Sequence, residues 1–468
     1  MGKYKYLAGN IALFSISNFV SKILVFLLVP FYTNVLSTSD YGIADVMQTT
    51  LLLLVPMLTV NMGEAALRYG IECPGKRSDI LRAGIKYTLT ASVIVLFISA
   101  LLSLFFKEQR GYLLIFILLF GANSLYEFLI LFFQGCEQVK IVVCGSVFST
   151  LVLILCNLFF LLVVKLGIYG YILSQIIAFT LAGVLMLSLG KKYAGYIYES
   201  KGRDESFEKE LTDYGKPMIA YSTGAWINNA SDRYLVSLLC GVSVNGLYGV
   251  AYKIPSILMV FQRIFAQSWQ MSATKSYNDE NSSEFFSAMY RTYQGFMVTG
   301  CSFLILTVRA FALFMFRKDF YPAYEFVPPL LISVVFGALT GFIGSICLAH
   351  KDSKAMGIST FAGAVINVVL NLLLIPVMGA MGAAVATAVS YYIMYVCSMF
   401  IVKKHVKIDH SVVKDHAAYI LLVVQAVIMI KSGEGHYVIP AVIFVALILI
   451  HIKELMAVLN KLRKYIHK

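Results

Sequence analysis

The sequence has little charge and none of the common motifs of soluble enzymes. Only 13% of its 468 residues are charged, whereas 59% are hydrophobic; an average soluble protein has about 25% charged residues. The mean hydropathy is +0.79. A water-soluble core cannot accommodate this much apolar sequence, so we predict that lipid surrounds most of the chain, which forms one membrane unit.

Cysteine pairs and catalytic signatures are missing too. The eight cysteines are scattered, without a Cys-x-x-Cys pair or a metal-ligand spacing, which argues against a disulfide framework. The P-loop, HExxH and GxSxG motifs and the dinucleotide fingerprint are absent from the sequence. We therefore expect a protein that is not an enzyme, has no cofactor and is not a primary ATP-driven pump.

The net charge of +13 has two readings, nucleic-acid binding or membrane topology. Most Lys and Arg residues fall in alternate loops between apolar segments, which is how basic loops orient membrane proteins. We therefore predict no nucleic-acid partner, and a multi-pass protein of the bacterial cytoplasmic membrane with both termini in the cytoplasm. The loop with Arg309, Arg317 and Lys318 is the exception to this pattern.

Apolar stretches long enough to cross a bilayer recur from end to end. They predict an all-α, polytopic protein with about fourteen transmembrane helices. The predicted spans are 8–34, 42–68, 84–106, 112–134, 139–164, 167–190, 215–240, 246–272, 292–310, 326–349, 355–377, 380–402, 415–431 and 437–453.

A polar stretch and an internal repeat divide these spans. Gly42 aligns with Gly246, and Asn157 with its following Gly-x-x-Gly turn aligns with Asn371 and the turn after it. This repeat predicts two pseudo-symmetric six-helix lobes related by an axis along the membrane normal. The predicted domains are an N-lobe at 1–190, a cytoplasmic linker at 191–214, a C-lobe at 215–402, and two last helices with a basic cytoplasmic tail at 403–468.

Charges inside predicted spans are costly and usually face a cavity or a partner. They concentrate in spans one, two, four, seven and eight, which favours one shared polar cavity. The candidate substrate-binding cations are Lys22, Arg233 and Lys253, with Arg263 and Arg68 as secondary candidates. For Arg68 an ion pair with Glu64 is the alternative, and Lys86 is expected to snorkel to the interface. We interpret the many tyrosines as interfacial belt and packing.

A second polar group lies in spans eleven and twelve. Asn367 and Asn371 are one turn apart on the same helix face, and Thr387 follows a short hairpin at similar depth. Two carboxamides and a hydroxyl could form an oxygen cage for a hard cation. The alternative is interhelical hydrogen bonding that only holds the spans together.

Three segments resemble the Wzx-type flippases of O-antigen and other lipid-linked oligosaccharides. They are LLVPFYTNVLSTSDYGIADVMQ within Asn18–Gln48, GLYGVAYKI from Gly246 to Ile254, and NLLLIPVMGAMGAAVATAVSY from Asn371 to Tyr391. Those flippases belong to the MOP superfamily, which also contains the lipid II flippase MurJ and the multidrug MATE transporters. The resemblance extends over the whole chain, through loose hydrophobic patterns.

The resemblance implies a central cavity lined by spans one, two, seven and eight, and two extra C-terminal spans. It implies that an undecaprenyl-pyrophosphate-linked oligosaccharide is moved to the outer leaflet by alternating access, coupled to a Na⁺ or H⁺ gradient. Lys22 and Lys253 resemble the basic cavity residues of such flippases. The residues that resemble a sodium site of MurJ-type members are Asp232, Asn367, Asn371 and Thr387. A second carboxylate expected in that site is replaced here by Asn371.

Other functions stay open at this point. A MATE-like drug/cation antiporter would need an apolar pocket with buried acids, whereas the candidate cavity residues are mainly cationic. A membrane-embedded glycan polymerase or acyltransferase would usually carry a large polar outer loop with catalytic Arg or His. The expected partners are the lipid-linked oligosaccharide, the bilayer and other polysaccharide-assembly proteins, and the expected metal is at most a Na⁺ ion.

Overall fold

A computed structural model of the chain describes residues 26–191, 204–277, 279–350, 352–431 and 437–456. Within these ranges every regular element is helical, which confirms the all-α prediction. The α-helices are α1 Val29–Val35, α2 Thr38–Leu58, α3 Met62–Glu72, α4 Arg77–Phe105, α5 Arg110–Gly135, α6 Val139–Leu158, α7 Gly167–Leu189, α8 Glu205–Cys240, α9 Val242–Ala251, α10 Pro255–Ser276, α11 Ser282–Met315, α12 Val327–Ala349, α13 Ser353–Met378, α14 Ala380–Val402, α15 Val412–Lys431 and α16 Val438–Ile450.

The described helices are those of a multi-pass membrane protein. Ten of them are long and apolar enough to cross a bilayer, and α9 and α10 together form one further bent span. The count of fourteen spans stays a prediction, since most of the first one lies outside the described residues and α16 is a short apolar helix. Helix α8, with 36 residues, is not among the ten because polar residues interrupt it.

The chain divides into two compact units, Met1–Asn229 and Ala230–Lys468, and the division falls within α8. In the first unit, the N-terminal turns of α8 bury Phe207 and Leu211 in the same core as Phe128 and Phe132 of α5. The polar stretch 191–214 is therefore a docked helix from Glu205 onward, and residues 192–203 lie outside the described part. The proposed lobe boundaries stay a prediction.

The second predicted span, 42–68, is wrong as a single helix. Helix α2 contains Pro56 and ends at Leu58, and Val60 and Asn61 take left-handed backbone conformations with φ of 53° and 49° before α3 begins. Gly215 of α8 allows a close approach here, because a Cβ on it would lie 2.0 Å from the carbonyl oxygen of Val60. Proline and this close contact explain a break that hydropathy does not reveal.

In the second unit α12 is the central helix. It packs against α10, α11 and α14, and most of its side chains are buried. A helix that is hydrophobic on all sides is suited to such a position.

Arg309 was expected in an outer loop, and this is wrong. Helix α11 continues to Met315, so Arg309 lies inside it and is only 5% exposed. Its Nη2 donates a 2.8 Å hydrogen bond to the carbonyl of Met429, and its guanidinium lies 5.3 Å from the ring centre of Tyr324. Arg309 is thus a buried structural arginine, whereas Arg317 and Lys318 lie exposed after α11 and remain an exception to the basic-loop pattern.

Candidate functional site

The carboxylate of Asp232 lies in the second unit, on α8, and is 4% exposed. It accepts hydrogen bonds from the hydroxyl of Tyr248 at 2.6 Å and from that of Tyr252 at 2.9 Å. Its other oxygen accepts the backbone N–H of Arg233 at 2.9 Å. These three donors offset part of the cost of burying this carboxyl group.

The sequence interpretation missed these tyrosines. Tyr248 is completely buried on α9, and Tyr252 follows one turn later, so both hydroxyls reach the same carboxylate. The interpretation of the tyrosines as mostly belt and packing residues did not single these two out as partners of the acid. The i, i+4 spacing of Tyr248 and Tyr252, just after the span that contains Asp232, is the signal that could have identified them.

Two predicted cavity cations are sequence neighbours of this acid cluster: Arg233 follows Asp232, and Lys253 follows Tyr252. The Arg233 guanidinium lies 4.8 Å from the ring centre of Tyr252, a cation–π arrangement. Lys253 is half-buried in the turn between α9 and α10, and its N–H donates to the carbonyl of Val250 at 2.9 Å. Pro255 starts α10 after this turn, because it has no N–H with which to continue α9.

The predicted amide group does come together. Nδ2 of Asn371 donates to Oδ1 of Asn367 at 2.9 Å, and Nδ2 of Asn367 donates to the Thr387 hydroxyl at 3.3 Å. All three side chains are buried. Oδ1 of Asn371 is buried without a hydrogen-bond partner among the described residues, so the cluster retains one free acceptor. A carboxamide oxygen in this state suits a hard cation such as Na⁺.

Asp232 makes no hydrogen bond to these amides within the described part of the chain. Tyr391 lies near both the acid and the amide cluster. It follows Thr387 by one turn on α14 and interacts electrostatically with Asp232. The four predicted ion-site residues therefore form two neighbouring subgroups. One is the acid with its tyrosines, and the other is the carboxamide–hydroxyl cluster.

The first unit carries a neutral version of this arrangement. The alignment of Gly42 with Gly246 places Gln48 at the position of Tyr252 and Leu28 at that of Asp232. Gln48 donates to Gln175, and Asn157 donates to the Tyr32 hydroxyl at 3.0 Å. The repeat therefore does not duplicate the acid of Asp232 in the first unit, where Leu28 stands at the aligned position.

The remaining predicted cations are placed differently. Arg68 is exposed, pairs with Glu72 at 3.0 Å and stacks over Tyr214 at 4.8 Å, so the expected pair with Glu64 is wrong. Arg263 is exposed on α10. Lys22 lies outside the described residues. Lys86 is bonded to Glu208 on α8 rather than only reaching for the interface.

Three comparisons relate the chain to known proteins. The model of a family described as polysaccharide biosynthesis protein matches residues 7–270, more than half of the chain. A curated relative from Haloferax volcanii, the probable low-salt glycan biosynthesis flippase Agl15, is 25% identical over 186 residues. That match covers 39% of this chain and 39% of the relative, so the chain matches about two fifths of that protein's length.

Two solved structures show the same fold. The lipid II flippase MurJ in an inward closed conformation has a TM-score of 0.69 at 18% identity, covering 96% of this chain and 99% of MurJ. An inward-facing multidrug resistance MATE transporter of the MOP superfamily has a TM-score of 0.64 at 10% identity, covering 82% of this chain and 95% of the transporter. The predicted MOP fold is thereby confirmed.

Proposed function

This chain belongs to the polysaccharide biosynthesis protein family, and from that premise we propose that it is a flippase for a lipid-linked oligosaccharide. The lipid carrier in this proposal is undecaprenyl pyrophosphate, and the glycan moves from the cytoplasmic to the outer leaflet of a bacterial cytoplasmic membrane by alternating access. The names of the Haloferax relative and of MurJ agree with a flippase. The reaction is transport, without covalent chemistry.

One observation carries the proposal: the polar character of α8. This helix, Glu205–Cys240, has the length of a span but too little hydropathy to be a lipid-facing one. It also places Asp232 and Arg233 well inside the helix, where a charge is stable only beside a polar partner or water. A helix of this kind suits the wall of an aqueous path.

The charges in this region favour an anionic cargo. A pyrophosphate linked at both ends carries about two negative charges, and hydrocarbon would oppose its passage strongly. Arg233 and Lys253 supply fixed positive charges in the second unit, and we propose that Lys22 adds a third. Lysine ammoniums suit a ligand that must be released. The same cations disfavour a cationic drug as substrate.

We further propose that Asp232, Asn367, Asn371 and Thr387 bind the coupling ion, Na⁺ or H⁺. The free oxygen of Asn371 and the buried carboxylate of Asp232 support this role. With one carboxylate instead of two, the site should bind Na⁺ weakly. Binding there would stabilise one of the two transport conformations over the other.

The test is the fate of the glycan in a strain that lacks this protein. Lipid-linked oligosaccharide should accumulate on the cytoplasmic side and disappear when the wild-type gene is restored. Asp232→Asn should fail to restore transport at ordinary Na⁺ concentrations. Asp213→Asn is the matched control, because Asp213 lies exposed on the same helix and pairs with Lys216 at 2.8 Å. Absence of accumulation in the deletion strain would contradict the proposal.

A further inference from the structure

The last two helices hold a polar cluster that the proposed transport path does not use. Helices α15 and α16 pack on α11 within the second unit. Gln425 joins all three, because its Oε1 accepts the hydroxyl of Ser302 at 2.7 Å and its Nε2 donates to the carbonyl of Pro440 at 3.0 Å. Gln425 is completely buried, so these bonds fix the three helices together in a dry interior.

His451 lies at the end of α16 inside this group of helices. It is 0% exposed, and neither ring nitrogen has a hydrogen-bond partner among the described residues. A Cβ on Gly295 of α11 would lie 3.2 Å from Cβ of His451 and 3.3 Å from its Nδ1, so this glycine makes room for the ring. A neutral imidazole always has one donor and one acceptor nitrogen. Both ring nitrogens of His451 are therefore available for a hydrogen bond to a bound ligand.

Two carboxylates complete the cluster. Glu454 lies one turn after His451, and its Oε1 accepts from Nζ of Lys414 at 2.7 Å, while its Oε2 is buried without a partner in the described chain. Asp415, next to Lys414, is 4% exposed and has a buried Oδ2 that also lacks a partner there. Buried polar atoms are nearly always hydrogen-bonded. Four unbonded atoms on three neighbouring titratable side chains therefore point to a ligand.

We infer that His451, Glu454 and Asp415 form a proton-binding site, in which water molecules connect the three side chains and hold one exchangeable proton. Protonation of His451 gives its ring a second N–H, which can donate towards the free oxygen of Glu454. A metal ion is a poor alternative, since no group of three metal-ligating side chains is suitably placed in the described residues. The ammonium of Lys414 would also repel a divalent cation.

The charges that face this site set how it responds to pH. His451 has Lys414 and Glu454 as its charged neighbours, and Gly295 of α11 lies against the ring. The Lys414 charge opposes a second positive charge on the imidazole, whereas ionised Glu454 favours it. The other titratable groups near the site, all around Asp415, are His410, His416, Tyr290, Tyr395 and Tyr419.

Proton binding at this cluster would not depend on binding of the transported substrate, because the two involve different helices. The residues of the cluster lie on α15, at the end of α16 and against α11, whereas the proposed ion and substrate residues lie on α8, α13, α14 and the α9–α10 turn. A change of charge at His451 would alter how α16 packs on α11 and α15. The inference therefore stands whether or not the chain transports a glycan.

The test is ¹⁵N NMR of the full-length protein in lipid nanodiscs, with the histidine rings labelled, over about pH 3 to 8. His451→Gln assigns the resonance, and His350→Gln is the control at a histidine outside the cluster. We expect the His451 ring to be neutral at neutral pH and to become charged at the acid end of this range, because burial and then the Lys414 charge lower the pKa of His451 to about 4. Glu454→Gln should move the midpoint to still lower pH, because it removes the charge that favours the protonated ring.

Two outcomes would overturn the inference. One is a His451 ring that stays neutral over the whole range; the other is a midpoint that Glu454→Gln leaves in place. If His451→Gln does not fold, the resonance that Glu454→Gln displaces in otherwise unchanged spectra identifies the ring instead. Because the experiment reads the imidazole and needs no transported substrate, its failure would leave the flippase proposal untouched.

Discussion

The hydroxyl of Tyr248 donates a 2.6 Å hydrogen bond to the carboxylate of Asp232, and both side chains are buried. This bond satisfies an acid that would otherwise be costly inside the second unit. It also means that any ion binding at Asp232 must share the carboxylate with a tyrosine. The relationship connects the stability of α8 and α9 with the proposed ion site.

Removing that hydroxyl should weaken the fold and the proposed ion site together. Tyr248→Phe keeps the ring but leaves one carboxylate oxygen with a single tyrosine donor, Tyr252. A hydrogen bond to a charged group contributes about 1.5–3 kcal/mol, so unfolding should become easier by roughly that amount. Thermal unfolding in detergent measures it, with Tyr169→Phe, at an exposed tyrosine, as the control. Equal midpoints for the two variants would show that the bond contributes little.

Adding the carboxylate that the amide cluster lacks should strengthen cation binding. Asn371→Asp is nearly isosteric and places a second acid beside Asn367 and Thr387. We expect Na⁺ to bind at least about ten-fold more tightly, equivalent to about 1.4 kcal/mol. The rise of the unfolding midpoint with Na⁺ concentration gives the affinity. Asn157→Asp, the repeat-related change in the first unit, should show no such gain, and an equal response of both variants would argue against the site.

The half-buried cations Arg233 and Lys253 and the buried Arg309 should behave differently in a mutational experiment. Arg233→Ala and Lys253→Ala should lower transport while the protein still folds, because they remove charge from the proposed path. Arg309→Met should instead lower the unfolding temperature and leave transport per folded molecule unchanged, because Arg309 bonds the carbonyl of Met429. Size-exclusion profiles and transport rates, measured on the same preparations, distinguish the two. Normal transport in the Arg233 and Lys253 variants would remove them from the path.

Asp204 should hold the start of α8 in a pH-dependent way. Hydrogen bonds from the Ser206 hydroxyl and the Phe207 N–H, and from Lys76, lower the pKa of this carboxyl to about 2. Because the folded value is below the unfolded one of about 3.9, its stabilisation is present above that pH and is lost as the pH falls towards 2. Asp204→Ala should therefore speed hydrogen exchange over residues 205–214 at neutral pH.

The control for this change is Lys209→Ala, an exposed residue on the next turn of α8. It should leave exchange in 205–214 unaltered. In the wild type, acidification from about pH 4 to 2 should bring the same acceleration that Asp204→Ala shows at neutral pH. If the variant and the wild type exchanged at the same rate at neutral pH, Asp204 would have no capping role.

The sequence allowed the helical class and the amide cluster to be predicted, because both depend on local periodicity. The one-turn spacing of Asn367 and Asn371 and the short hairpin before Thr387 place these side chains together in any helical hairpin, and their hydrogen bonds confirm that geometry. Their role in ion binding stays a prediction.

Features that depend on contacts between distant segments could not be predicted. The break at Val60 and Asn61 requires the close approach of Gly215, which comes from a different helix. Arg309 was predicted as a loop residue because hydropathy does not show where a helix with a buried arginine ends. Its hydrogen-bond partner, the carbonyl of Met429, is 120 residues away in sequence. Long-range packing decides such positions, and a single sequence carries no direct sign of it.

The most direct test of the central claim is translocation in a purified system. Liposomes containing only this protein are supplied with an undecaprenyl-pyrophosphate-linked oligosaccharide in one leaflet, and lectin accessibility reports its arrival in the other. The account predicts rapid translocation by the wild type and by Asp213→Asn, with a loss in Arg233→Ala. Translocation no faster than in protein-free liposomes, with wild-type protein shown to be folded, would contradict it.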